Sequence, residues 1–284
     1  MKRKWKILIT IGAIFLFILG IMGMTFFIVG ILSGEVPRIG NKIAVIPIKG
    51  EITIEGCQAT ILETPQCANV RKLKEIIKRE DGDPFTKAII LDINSGGGSV
   101  VASRELMRAV KECKKPVVAW IGEVGASGAY YVASGADKIV ADENSITGSI
   151  GVIMTIKHYY ELYKKIGINV TVIKSGDVKD IGSPYREMTE EEKRELQEIV
   201  DDVYNDFIND VAKNRNLSPE YVRNISDGSI YLGKDAKDLG LIDYIGGMDK
   251  AIEVASELAG IEGEPQIVRV EDDEEITIWD LLYR

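Results

Sequence analysis

The hydrophobic pattern begins with an uninterrupted apolar run. From Ile7 to Leu32 no residue carries a charge, and at about 1.5 Å per residue such a run reaches roughly 39 Å, more than a bilayer core of about 30 Å. This predicts a transmembrane helix over 7–32. A cleaved signal peptide has a shorter apolar stretch with small residues at its cut site, and "VGILSGE" lacks that signature. A soluble buried helix would show a polar face. The preceding "MKRKWK" (1–6) is basic, which favours a cytoplasmic N-terminus and an outward exit of the chain.

After a linker over 33–41 the pattern changes to strand–helix alternation. "KIAVIPIKGEITI" predicts two extended segments broken at a glycine. "NVRKLKEIIKRE" has Val70, Leu73, Ile76 and Ile77 at helical spacing, and "DGDP" stops it. "KAIILDIN" and "PVVAWIG" are short apolar runs expected to be buried strands, each followed by a glycine-containing turn and a helix. "DKIVAD" and "NVTVIKSG" predict further strands, with the helix "HYYELYKKIG" between them. A long amphipathic helix is expected from Thr189 to Asn214, its "TEEE" start placing negative charge on the N-terminal turn. Short helices closed by glycines follow. Alternation of this kind points to an α/β fold with a parallel sheet covered by helices. The domain spans 42–262, and 263–284 forms a tail in which an acidic run precedes "ITIWDLLYR".

Charge removes some function classes. The chain has a net charge of −9 from 35 basic and 44 acidic residues. Lys2, Arg3, Lys4 and Lys6 lie before the apolar run, so the remainder carries 31 basic against 44 acidic residues, a net of −13. An acidic ectodomain does not suit nucleic acid or an anionic lipid surface. The three cysteines, Cys57, Cys67 and Cys113, show no Cys-x-x-Cys spacing for zinc or a redox pair. Cys57 and Cys67 either pair in an oxidising exterior or remain free thiols, and Cys113 closes a predicted helix as a packing residue.

Candidate chemistry gathers at the carboxyl ends of strands in a parallel sheet. One such end is "LDINSGGGSVV", where Gly96, Gly97 and Gly98 let backbone amides approach a ligand at a helix start. Those amides suit a phosphate or the oxyanion of a tetrahedral intermediate. The segment lacks the Gly-Lys-Ser/Thr ending of a P-loop and the spacing of a dinucleotide fingerprint. The other end is "WIGEVGASGAYYVASGA". There Ser127 is either a helix N-cap or a nucleophile at a sharp strand-to-helix turn.

Together with "ITGSIGVI" and "IKSGDVKDIGSPYREMTEEE", these stretches closely resemble the signal peptide peptidase A family, from about Lys42 to Ala259. The resemblance implies a ClpP/crotonase-like fold of repeated β-β-α units and a membrane-bound serine endopeptidase with a Ser–Lys dyad. Ser127 then matches the nucleophile and Lys179, in "DVKDIGSP", the general base. Ser149 matches the supporting hydroxyl, and Gly96 and Gly97, with the amide of Ser127, the oxyanion hole. Many relatives carry proline where this chain has Ser95. Implied substrates are remnant signal peptides and other short or unfolded hydrophobic peptides. The implied partners are the bilayer, through 7–32, and further copies in a homo-oligomeric ring, with no cofactor, metal or nucleic acid.

A lysine base answers a difficulty posed by composition, because the chain has one histidine, His158, within a predicted helix and beside tyrosines. An ordinary lysine, with a pKa of about 10.4, is protonated at neutral pH. Burial or a neighbouring cation favours its neutral amine, which then accepts the serine proton. Lys174, Lys164 and Lys165 are rival bases, and Asp180, Arg186 and Glu187 are expected to hold the loop through ion pairs. Two other activities remain open: a crotonase-like enzyme acting on acyl-CoA, and a silent membrane scaffold.

Overall fold

The computed structural model describes residues 12, 15–22, 25, 41–57 and 66–270. Gly12, Phe15 to Met22 and Thr25 are helical, with Phe15, Leu16, Phe17 and Ile18 exposed. The rest of the expected span 7–32, linker residues 33–40 and the tail beyond 270 lie outside the described residues. Among the described residues no helix is long and apolar enough to cross a membrane.

The domain begins with β1 (Lys42–Lys49), β2 (Glu51–Thr53), β3 (Cys67–Asn69), α1 (Val70–Gly82), β4 (Thr86–Ser95) and α2 (Val100–Lys111). Next come β5 (Val117–Ala126), α3 (Gly128–Ser134), β6 (Lys138–Ala141), β7 (Ile146–Gly148) and α4 (Tyr160–Lys165). The C-terminal part holds α5 (Glu190–Arg215), α6 (Pro219–Asn224), β8 (Ile230–Leu232), α7 (Gly233–Asp238), β9 (Tyr244–Ile245), α8 (Met248–Ala259) and β10 (Gln266–Arg269). The main sheet runs β10-β1-β4-β5-β6-β9 with every neighbouring pair parallel. β7 adds to β5 in parallel, and β8 pairs antiparallel with β7.

Period-two alternation explains the layers. In β1, Ala44, Ile46 and Ile48 face a large core shared with α1, α2, α3 and α5, while Ile43 and Val45 face a smaller core beneath α8. β4 divides the same way, Ile89, Leu91 and Ile93 on one side and Ala88 and Ile90 on the other. A sheet buried on both faces reads in sequence as a continuous apolar run. Truncating one of these fully buried isoleucines to alanine costs about 2–5 kcal/mol.

Helix ends follow local chemistry. Asn69 caps α1 by accepting from the Lys72 amide at 3.2 Å. Thr189 and Glu192 form a reciprocal capping box at the start of α5, and Asn216 ends it in the left-handed region.

Three expectations change. "NVTVIKSG" is not a strand: residues 168–174 are irregular and exposed, with Ile173 95% accessible, and among the described residues no strand pairs with them. β10 lies within the segment expected as a tail and pairs with β1, Lys42 opposite Gln266. The small strands β2, β3, β7, β8 and β9 are too short for a periodic signal, although the first lies within the extended run expected there.

Candidate active site

Ser127 ends β5 and opens α3. Its backbone sits at φ 53°, ψ −125°, and its side chain makes no capping bond. An N-cap serine has extended dihedrals and accepts from the first turn with its oxygen, so Ser127 is no ordinary cap. Positive φ at a non-glycine residue is costly and persists only where neighbours over-determine it. Here the Ser127 amide donates to the Gly148 carbonyl at 2.8 Å, and the Ser127 carbonyl accepts from the Tyr131 amide at 2.9 Å. The pairing of β5 with β7, Ala126 opposite Gly148, brings in that carbonyl. The next residue, Ser149, is also at positive φ (49°), with its amide donating to the Ser229 carbonyl at 2.8 Å.

Both hydroxyl-bearing residues line one cavity of about 300 Å³. Gly98, Val100, Ser103 and Gly128 form part of its wall, and Tyr131 and Phe207 another part. Tyr131 stacks on Phe207 with ring centroids 4.3 Å apart and donates its hydroxyl to Asp210 at 2.5 Å. Burial, then the Asp210 carboxylate, raises the Tyr131 pKa, so its phenol stays neutral.

The glycine loop touches the nucleophile directly. Gly97 has φ 110°, and a Cβ there would lie 3.0 Å from the Ser127 Cβ and 2.8 Å from the Gly128 nitrogen. Only glycine fits both the angle and the approach. The expected amide donors, however, are already engaged. The Gly97 amide donates to Ser95 Oγ at 3.1 Å, and the Ser127 amide is held by Gly148. Gly96 does not line the cavity. Of the cavity-lining residues packed against Ser127, Gly98 and Gly128 have amides with no acceptor among the described residues. Gly128 is the first residue of α3 and has no intrahelical acceptor. A Cβ built on Gly128 would fall 3.1 Å from the Gly98 nitrogen, so the two amides are neighbours. Gly97 and Ser127, expected as donors, thus have amides that donate to Ser95 and Gly148, and Gly96 lies off the cavity. The Ser95 hydroxyl fixes the loop by donating to the Gly50 carbonyl at 2.5 Å.

Ser103 was not anticipated. It is 1% exposed, its Oγ has no hydrogen-bond partner, and a Cβ on Gly128 would lie 2.2 Å from that oxygen. Nothing in "VVASREL" marks it, since a serine on a buried helix face looks like any small packing residue.

Lys179 is elsewhere. It is exposed and does not line the Ser127 cavity, and its side chain makes no hydrogen bond or ion pair among the described residues. It sits on an arm, residues 152–188, folded largely on itself. Lys174 Nζ meets Asp180 Oδ1 and the Asp177 carbonyl, both at 2.5 Å, which ties up that rival base. Arg186 bridges Asp180 to Glu192, fastening the arm to α5. Arg186 and Lys174 hold the Asp180 carboxyl well below its ordinary range, and Arg186 with the Thr189 amide lowers Glu192 to about 2. Glu187 contributes only its carbonyl, which accepts from Arg186. Lys164 pairs with Glu161, and the His158 and Tyr160 rings lie 6.2 Å apart in the same arm. The arm's apolar side chains face outward, with Ile153 91% and Ile173 95% exposed.

Cys57 and Cys67 are disulfide-bonded and Cys113 is free. Burial and its bond to Asp81 push the Cys113 thiol up to about 12, which leaves it unreactive. Among the described residues no cluster of His, Cys, Asp and Glu is arranged to hold a metal.

Comparison with known proteins bears on this geometry. The sequence profile of Peptidase family S49 matches residues 109–262. A Methanocaldococcus jannaschii protein named "Putative protease MJ0651" is 41% identical over 98% of this chain and 90% of its own length. A signal peptide peptidase SppA homologue of Enterococcus faecium is 35% identical over 75% of this chain and 62% of its own. Protease 4 of Haemophilus influenzae is 32% identical over 78% of this chain but 35% of its own length. Among solved structures, the 1510-N membrane-bound stomatin-specific protease has the same fold at 13% identity, with a TM-score of 0.55 over 82% of this chain. A second mutant form of that protease, in complex with a substrate peptide, superposes with a TM-score of 0.53 at 14% identity over 86% of this chain.

Proposed function

Because this chain belongs to peptidase family S49 and is a serine protease, we propose that Ser127 is its nucleophile and that Lys179 of a neighbouring copy is its general base. The observation that carries this is the state of Ser127: a strained serine with an uncapped hydroxyl, facing a cavity beside two open amides. Ser127 Oγ attacks the scissile carbonyl. The Gly98 and Gly128 amides receive the oxyanion, a contribution of about 10²–10³ in rate per donor in comparable sites. The neutral lysine amine takes the serine proton and returns it to the departing amine, and water then releases the acyl group. Ser149 Oγ, on the cavity wall, orients the lysine.

The apolar wall of Val100, Tyr131, Val203 and Phe207 suits an apolar side chain next to the cleaved bond. The substrates we propose are remnant signal peptides and other short or unfolded hydrophobic peptides. The SppA naming of the Enterococcus relative supports this choice. Residues 7–32 anchor the chain in the bilayer with the catalytic domain outside, a reading supported by the exposed apolar helix of Phe15 to Met22. The repeated strand–helix units fit a ClpP/crotonase-type core. Family membership favours peptide hydrolysis over acyl-CoA chemistry or a silent scaffold.

Supply of the lysine in trans rests on two features: Lys179 is absent from the Ser127 cavity, and the arm that carries it presents Ile153 and Ile173 to solvent. Exposed apolar side chains of this kind mark a contact surface, here for the next copy in a ring. The test is hydrolysis of an internally quenched signal-sequence peptide by the full-length protein in detergent. Cleavage by the wild type and none by Ser127→Ala is expected, and equal cleavage by both overturns the assignment.

A further inference from the structure

The loop that carries the Gly98 amide is held by a strand outside the main sheet. On one edge, β2 pairs in parallel with β3, Glu51 opposite Cys67 and Ile52 opposite Ala68. Its other edge grips the loop: the Ile52 amide donates to the Gly97 carbonyl, and the Ser99 amide donates to the Ile52 carbonyl, both at 2.9 Å. Gly98 lies between these bonds, so close that a Cβ on it would fall 2.0 Å from the Ile52 carbonyl oxygen. The position of the Gly98 amide is therefore set by β2.

What secures β2 and β3 is partly covalent. The Cys57–Cys67 bond joins the start of β3 to the chain just beyond β2. The other ties are noncovalent: Asn69 Nδ2 donates to the Glu55 carbonyl at 2.8 Å, the Arg71 amide to the Ile54 carbonyl at 3.3 Å, Arg71 pairs with Glu55 at 3.1 Å, and Ile52 is buried in the larger core. Cysteine is otherwise scarce, with Cys113 half-buried and bonded to Asp81.

We propose that β2 and the Cys57–Cys67 disulfide act as a redox-sensitive brace, with Ile52 a positioning residue that sets the Gly98 amide through its backbone. This rests on the assignment of Gly98 as an oxyanion donor. A donor is effective only within about 2.7–3.1 Å of the oxyanion, and a misplacement of about 1 Å costs up to about 10²-fold in rate. Reduction to two thiols, by a dithiol that is itself oxidised to its disulfide, leaves β2 and β3 joined by hydrogen bonds, the exposed Arg71–Glu55 pair and the packing of Ile52. The ground-state peptide loses little, because the donor matters where negative charge develops.

The test compares oxidised and reduced full-length protein, with the thiols counted after denaturation, and a Cys57→Ser/Cys67→Ser variant as an independent form. Hydrogen exchange at the Ile52 and Ser99 amides is read beside peptide kinetics. Reduction should speed exchange at those two amides and lower kcat by about three- to tenfold, with KM changed less than twofold and activity restored on re-oxidation. Unchanged exchange in fully reduced protein would overturn the brace, and so would faster exchange with kcat unaltered. If neither state cleaves peptide while exchange still rises, the brace stands and the peptidase assignment of Ser127 falls.

Discussion

Ser127 is held on every side by its own chain. Gly148 fixes its amide, Tyr131 its carbonyl, and Gly97 packs against its Cβ. Lys179 rides on an arm whose contacts are mostly with itself and whose apolar side chains face outward. The two regions lie within one expected catalytic unit yet follow opposite designs. The nucleophile needs a strained geometry, which a sheet buried on both faces can enforce. A lysine base needs transfer out of water to become neutral, and on the proposed dyad the exposed arm would reach that state by docking. On that proposal, folding prepares the serine half of the site and association supplies the lysine half.

The sharpest break concerns the lysines of the arm. Lys179→Arg should abolish peptide hydrolysis, a loss of about 10⁴-fold or more as for other members of a catalytic unit, because a guanidinium cannot serve as a base. Lys174→Ala should keep measurable turnover, since Lys174 serves as an ion-pair partner of Asp180. The reverse pattern in a steady-state assay would move the base to Lys174.

Next in size is the outer face of the arm. Ile173→Asp changes a side chain that is 95% exposed and does not line the Ser127 cavity, so each copy should fold as before. Light scattering should show smaller assemblies, and kcat/KM should fall by about 10²-fold. A dispersed variant with full activity would mean that the arm serves its own serine. Gly98→Ala sharpens the contrast from the other side. Its Cβ would collide with the Ile52 carbonyl, so kcat should drop by about 10-fold or more while the assembly keeps its size.

The smallest effect is on acid stability. Arg186 and its neighbours lower the carboxyls of Asp180 and Glu192, the latter to about 2. Groups with depressed folded-state values stabilise fully above the ordinary carboxylate range and lose that contribution as pH falls through the folded value. The gap in Tm between wild type and Arg186→Ala should therefore be constant above about pH 5 and close toward about pH 2. A gap that widens in acid would refute the ion-pair anchor.

Much of this was legible in sequence. The apolar runs of β4 and β5 announced buried parallel strands, and "TEEE" announced the acidic first turn of α5. Ser127 and the glycine turn stood out because small residues cluster where backbones approach closely, but the roles expected of them and of Ser149 came from the family resemblance. Which amides are already bonded was not legible, because the engagement of the Ser127 amide depends on the pairing of Ala126 with Gly148. The arm was misread for a related reason. "NVTVIKSG" has strand-like composition, but a strand needs a neighbour, and among the described residues none pairs with it.

Mixing two inactive proteins tests the central claim most directly. Ser127→Ala and Lys179→Ala, co-assembled in equal amounts with mixed assemblies verified by mass spectrometry, each retain one intact half of a site. If the halves meet across a heterologous interface, about a quarter of the sites pair a good serine with a good lysine. Hydrolysis should then return to about a quarter of the wild-type rate. A mixture as inactive as its parents would contradict the account and place both residues in one chain.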